Sequence, residues 1–177
     1  MDFVLSENSE YKDKESIVLC TLSDFKKENK KKAEKGIILK GKYTQKDIQK
    51  AMQLTKHVVV EYNDDIRLTL EKNKGLFIYG CENVPHRDFM HFRNSGLNHI
   101  LAKIAYDNNH TFLFNFKDYL DLSKSKKAVV LGRLKQNIKL YKKYKVRFQF
   151  ASFGLDEYTY KGGLEVYKRL LESNRLF

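Results

Sequence analysis

Gly36-Ile37-Ile38-Leu39-Lys40-Gly41 and Gly75-Leu76-Phe77-Ile78-Tyr79-Gly80 are one unit used twice: a glycine, a short aliphatic run and a second glycine. Each run is too short for a core helix and is bounded by turn residues, so it reads as a buried strand. Gly36 and Gly75 each fall where a helical pattern gives way to the strand. There a left-handed residue satisfies the last helical carbonyls at little steric cost. The same alternation runs outward in both directions. Asp2 to Leu5, Ser16 to Thr21, Ile37 to Lys40, His57 to Glu61, Leu76 to Tyr79, Thr111 to Asn115 and Arg147 to Ala151 read as strands. Leu22 to Lys35, Thr44 to Thr55, Asp64 to Lys74, Ser95 to Asn109 and Lys124 to Tyr144 read as helices. Sustained βα alternation implies a parallel sheet, either closed as a barrel or open and doubly wound. No Gly-x-Gly-x-x-Gly follows the first strand, which removes the usual signature of the dinucleotide-binding form. After a last predicted helix, Glu157 to Glu172, only Ser173 to Phe177 remain. The expectation is therefore an α/β, TIM-barrel-like (β/α) repeat with parallel strands, incomplete or irregular at its C-terminal closure.

The 177 residues fit a single domain spanning 1–177. A hydrophobic content of 42% argues against disorder. No run reaches the roughly 18 apolar residues of a membrane span, so no membrane association is expected. Met1 to Glu15 offer neither a cationic start nor an apolar core for a secretory signal. Cys20 and Cys81 form no Cys-x-x-Cys pair and read as reduced thiols. A cytoplasmic location is expected, or a nuclear one in a eukaryote.

The formal net charge is +12, and its distribution is more informative than its size. Between Leu122 and Leu155 there is no acid, while Lys124, Lys126, Lys127, Arg133, Lys135, Lys139, Lys142, Lys143, Lys145 and Arg147 supply ten positive charges. The rest of the chain therefore carries only +2. Such a block makes a surface field that attracts long polyanions. On a helical projection Leu131, Leu134, Ile138 and Tyr141 cluster on one side, with Lys135, Lys139, Lys142 and Lys143 in a neighbouring arc. One stripe can bury while the other faces RNA. Tyr141, Tyr144, Phe148 and Phe150 interleave with the cations and could stack on bases, although Phe148 and Phe150 fall in a strand and read first as core. The other lysine run, Lys26 to Lys35, contains glutamates and reads as a solvated helix face.

Upstream, Ser95 is placed to cap a helix whose residues Leu97, Ile100, Leu101, Ile104 and Ala105 form the buried stripe. His99, Lys103 and Tyr106 are left outside. Asp64 and Asp65 are placed to cap another helix. Catalytic constellations are scarce. Cys81, Glu82, His86, Asp88 and His91 share one loop but lack His-x-His or His-x-x-x-His spacing. No nucleophile elbow, phosphate-binding glycine loop or recognisable Cys/His dyad occurs.

Three segments resemble the RNase P protein component 3 family of archaeal and eukaryotic ribonuclease P. They are Arg93-Asn94-Ser95-Gly96-Leu97-Asn98-His99-Ile100-Leu101-Ala102-Lys103, then Phe114-Asn115-Phe116-Lys117-Asp118-Tyr119-Leu120, then Arg133 through Lys143-Tyr144-Lys145-Val146-Arg147 into Ala151-Ser152. The resemblance covers roughly the second half of the chain; the first half agrees in its βα pattern and around Glu61 to Arg67. It implies a TIM-barrel-like subunit of a ribonucleoprotein that matures the 5′ end of precursor tRNA. The RNA, with magnesium ions, would perform the chemistry, and the chain itself would bind no cofactor and supply no catalytic residue. Implied partners are RNase P RNA, a small α/β RNase P protein subunit and, through the holoenzyme, precursor tRNA. Arg67, Arg93, His99, Lys103 and Lys143 occupy matching or near-matching basic positions, Arg93 after a one-residue shift. Charge geometry adds Arg133, Lys139, Lys145 and Arg147 as RNA-binding candidates. Two other readings are open: a divergent metal-dependent phosphoesterase using the Cys81 to Arg93 loop, and a general RNA-binding scaffold.

Overall fold

The structure is a computed structural model that describes residues 2–5, 16–25, 34–85, 87–154 and Arg169. Seven strands, β1 (Asp2–Leu5), β2 (Ser16–Cys20), β3 (Glu34–Leu39), β4 (Val58–Glu61), β5 (Phe77–Tyr79), β6 (Thr111–Asn115) and β7 (Arg147–Ala151), form one sheet in sequence order. Every neighbouring pair is parallel. Alternate residues separate into two cores. Ile37, Leu39, Val58, Val60, Ile78 and Phe112 pack with the helices, whereas Phe3, Ile17, Leu19, Ile38, Val59 and Leu113 pack with one another. A parallel sheet whose second face buries against itself must curl. Its two edges approach at Phe153, whose N–H donates to the Phe3 carbonyl at 2.9 Å, but β1 and β7 form no ladder among the described residues. The result is the expected TIM-barrel-like curl with incomplete closure.

The helices are α1 (Gln45–Leu54), α2 (Ile66–Lys72), α3 (His99–Asp107), α4 (Phe116–Leu120) and α5 (Lys124–Tyr144). α1 opens with a capping box in which Thr44 and Asp47 satisfy each other's backbone N–H groups. The Thr44 hydroxyl and N–H hold the Asp47 carboxyl below its ordinary pKa. Two expected caps are corrected. Asn98, not Ser95, caps α3, its Oδ1 accepting from the Leu101 N–H at 2.9 Å; Ser95 is buried in the preceding loop. Asp65 sits at the start of α2 without a side-chain cap bond. On α3 the buried residues are Leu101, Ala102 and Ala105, while Ile100, expected inside, is 43% exposed.

Gly36 also differs from expectation. It lies inside β3 rather than at a helix end, and a Cβ there would come within 2.7 Å of Leu19 Cδ2 and 2.9 Å of the His57 carbonyl oxygen. Close approach of neighbouring strands, not a left-handed turn, is what requires glycine. Gly75 does adopt the left-handed conformation, at φ 70°. β3 takes Lys35, which the sequence pattern assigns to a helix. Residues 26–33 of the lysine run, and the last predicted helix except Arg169, lie outside the described residues. Among the described residues no helix is long and apolar enough to cross a membrane.

His110 joins β6 to the helical layer. Its Nδ1 accepts from the Leu76 N–H at 3.1 Å and its Nε2 lies 3.0 Å from the Leu70 carbonyl. The neutral ring with its proton on Nε2 satisfies both partners. Burial lowers its pKa below the ordinary 6.5, against the pull of these backbone groups. A lowered histidine pKa gives stability that is present above pH 6.5 and is lost as pH falls through the folded-state value. Thermal unfolding between pH 7 and 5 should therefore show a steeper acid loss for the native chain than for His110→Gln. Equal slopes would contradict the assignment.

Candidate nucleic-acid interface

The acid-free segment folds as α5, 21 residues and about 31 Å long. Its buried stripe is Val130, Arg133, Leu134, Asn137, Ile138 and Tyr141, and Leu131 is partly buried against the same core. Lys139, Lys142 and Lys143 are exposed along the last turns, and Lys145 and Arg147 are exposed just beyond. Lys145 closes the helix in the left-handed conformation at φ 56°, and the Val146 N–H reaches back to the Tyr141 carbonyl at 3.0 Å. That geometry is the usual glycine stop, here made by a lysine. Tyr141 is not available to stack on a base: it is 4% exposed, with its ring on Phe148 at 4.8 Å. Phe148 and Phe150 pack against the core, as their strand position predicts. Tyr144 is half-buried, and the Lys143 ammonium lies over its ring at 5.6 Å.

Arg133 is the main correction among the candidate residues. Its side chain is buried, and its Nε donates to Asp88 Oδ1 at 2.8 Å. Its Nη1 donates to the carbonyls of Glu82 and Val84 at 3.1 and 2.7 Å. The guanidinium therefore fastens the loop after β5 to α5 and is not part of the exposed basic face. Asp88 also accepts from Arg93 Nη1 at 3.1 Å and from the Asn94 N–H at 3.0 Å. Burial opposes ionisation of Asp88, but Arg133, the Asn94 N–H and Arg93 together hold its carboxyl below the ordinary value. Gln136 completes the clasp, donating to the Arg93 carbonyl at 2.8 Å and accepting from its N–H at 3.1 Å.

Deeper in the same seam, Asn137 Nδ2 donates to Glu82 Oε1 and to the Ser95 carbonyl, each at 3.0 Å. Burial pushes the Glu82 carboxyl up, against the hydrogen bond from Asn137. Burial, then the neighbouring Glu82, pushes the Cys81 thiol up. Of the five candidate metal ligands, Cys81 and Glu82 thus face the interior seam, Asp88 is held by Arg133 and Arg93, His91 is exposed, and His86 lies outside the described residues. Among the described residues no three His, Cys, Asp or Glu side chains are grouped to hold a metal.

Gly132 makes room for the clasp, since a Cβ there would lie 2.4 Å from Arg93 Cζ. Gly132→Ala should gain up to about 1 kcal/mol of helix propensity while displacing the Arg93 guanidinium. We expect thermal stability to hold or rise while RNA affinity falls; unchanged affinity would show that the position of Arg93 does not matter.

Of the remaining candidates, three lie on helices and Arg147 opens β7. His99 and Lys103 are exposed on α3, which packs on α5. Arg67 is exposed on α2, the neighbour of α3, and pairs with Glu71 at 2.9 Å. Arg147 is exposed and donates to the Asn109 carbonyl at 2.7 Å. Arg93, His99, Lys103, Lys139 and Lys143 are thus exposed on the packed pair α3 and α5 or on the loop before α3, with Lys145 and Arg147 exposed just past the end of α5 and Arg67 on the neighbouring α2. The mouth at the C-terminal ends of β4 and β5 is different. A cavity of about 310 Å³ there is lined by Glu61, Asp64 and Asp118 among others. Carboxylates repel phosphates, so a polyanion would meet the helical face rather than the mouth.

No protein family's sequence profile matches this chain, and no curated protein does. Among solved structures the chain is similar to one in "cryo-EM structure of archaeal Ribonuclease P with mature tRNA", at 14% identity and a TM-score of 0.61, over 89% of this chain and 76% of that one. At that identity the likeness is one of fold.

Proposed function

We propose that this chain is a protein subunit of ribonuclease P that supports the catalytic RNA during 5′ maturation of precursor tRNA. The observation that carries the reading is the acid-free basic helix α5, displayed on a fold shared with a chain of an archaeal ribonuclease P structure. Exposed cations on one helical layer neutralise phosphates without reading bases, which suits a subunit that holds a folded RNA in shape. Arg67, Arg93, His99, Lys103, Lys139, Lys143, Lys145 and Arg147 form the proposed contact set. Arg133 acts in it as a positioning residue, because it holds the Arg93 loop. The RNA and its magnesium ions carry the chemistry, and a small α/β subunit and precursor tRNA are the further partners in this reading. The site of action is the cytoplasm, or the nucleus in a eukaryote.

Titration of the purified chain with RNase P RNA and with an unrelated folded RNA of equal length, from low to high salt, tests the proposal. If roughly six cations meet phosphates, the log–log slope is about −5, with tighter binding to RNase P RNA. Equal affinities would indicate a general RNA-binding scaffold, and salt-insensitive or absent binding would refute the basic-face reading.

A further inference from the structure

Within the loop that Arg133 fastens, Phe89, Met90 and Phe92 are 57%, 93% and 58% exposed. These are the most exposed large hydrophobic side chains among the described residues, and they share one turn. The turn is ordered by its own contacts. The Phe89 N–H donates to the Phe92 carbonyl at 2.9 Å, and the two rings stack with centroids 4.5 Å apart and planes 24° apart. Its base is held by Asp88 and by both backbone groups of Arg93. A stacked pair of phenylalanines presented to water on a clasped turn has apolar ring faces that nothing among the described residues covers.

We infer that this turn is a stacking platform for an unpaired base of the bound RNA, with Phe89 and Phe92 as the platform. The inference rests on the ribonuclease P reading and deepens it by naming what the loop recognises. Three observations favour a nucleobase over a protein surface. The rings are already near-parallel, so a flat base extends the stack without rearrangement. Exposed Arg87 and Arg93 bracket the turn in sequence, and the intervening acid, Asp88, already pairs with Arg93 and Arg133. The next phosphate therefore meets net positive charge. The patch is also only three side chains wide, far below the roughly 800 Å² per partner of a stable protein interface. Duplex RNA hides its base faces, so the occupant is a loop, bulge or end.

The test compares a 12-nucleotide single-stranded adenine oligomer with an RNA duplex of equal length, using the full chain. Phe89→Ala with Phe92→Ala should weaken single-strand binding about tenfold or more, leaving duplex affinity, salt slope and melting temperature unchanged. Phe89→Tyr with Phe92→Tyr, which keeps both rings, should retain binding. Equal loss on both RNAs, or no loss on either, overturns the platform while leaving the basic-face reading intact. Salt-insensitive binding by the unaltered chain overturns both. An alanine variant that only dissolves a self-associated form, measured by sedimentation, would assign the patch to a second copy and overturn the inference.

Discussion

Replacing Arg133 with methionine is expected to lower the free energy of unfolding by about 3 kcal/mol, near the low end for a broken buried ion pair because Asp88 keeps Arg93. The substitution fits the cavity but removes every donor that Arg133 supplies. Asp88 Oδ1 loses its 2.8 Å partner, and the Glu82 and Val84 carbonyls lose theirs in a buried seam. Lysine should rescue little, since one ammonium cannot reproduce the planar fork that spans a carboxylate and two carbonyls. Equilibrium denaturation of Arg133→Met and Arg133→Lys reads the effect directly. A loss below about 0.5 kcal/mol, the range of ordinary surface substitutions, would return Arg133 to the solvated face.

The opposite pattern is expected for Lys139→Ala, Lys142→Ala and Lys143→Ala combined. These side chains are exposed and face no acid within their segment. Removing Lys142 and Lys143 from the last turn of α5 should cost only a few tenths of a kcal/mol per charge through the helix dipole. RNA binding should change far more. Losing the two proposed phosphate contacts at Lys139 and Lys143 flattens the salt slope by about 2, which at 0.15 M salt amounts to roughly a thirtyfold loss of affinity, converging near 1 M. Filter binding or fluorescence anisotropy over that range measures both numbers. Loss of affinity with an unchanged slope would mean that these lysines do not meet phosphates.

The two variants separate what the sequence made legible from what it hid. The bounds of β6, β7 and α5 follow from composition and period, because Thr111 to Asn115 is an uninterrupted buried run and α5 keeps a 3.6-residue buried stripe from Val130 to Tyr141. The exposed lysines follow from the same projection. Arg133 does not, because a cation in an acid-free segment reads as surface until its partner is known. Asp88 lies 45 positions away in sequence. A signal was present nonetheless: Arg133 and Asn137 fall three residues after Val130 and Leu134, on the stripe that buries. Gly36 shows another limit, since one letter serves both a left-handed turn and a close approach between strands. Ser95 and Asn98 are both good caps, and only the burial of Ser95 beneath Gln136 decides between them. The Phe89 turn was hidden in the same way. Its loop has the residue types of a metal site, and only the inward placement of Cys81 and Glu82 turns attention to the aromatic tip as its exposed apolar feature.

The measurement that bears most directly on the ribonuclease P assignment is to purify the tagged chain gently from its native host and sequence the RNA that accompanies it. Strong enrichment of RNase P RNA, with precursor-tRNA cleavage in the same eluate, is the predicted result. A chain that carries no enriched RNA, but holds a stoichiometric transition metal and hydrolyses phosphoesters unaided, would contradict the account.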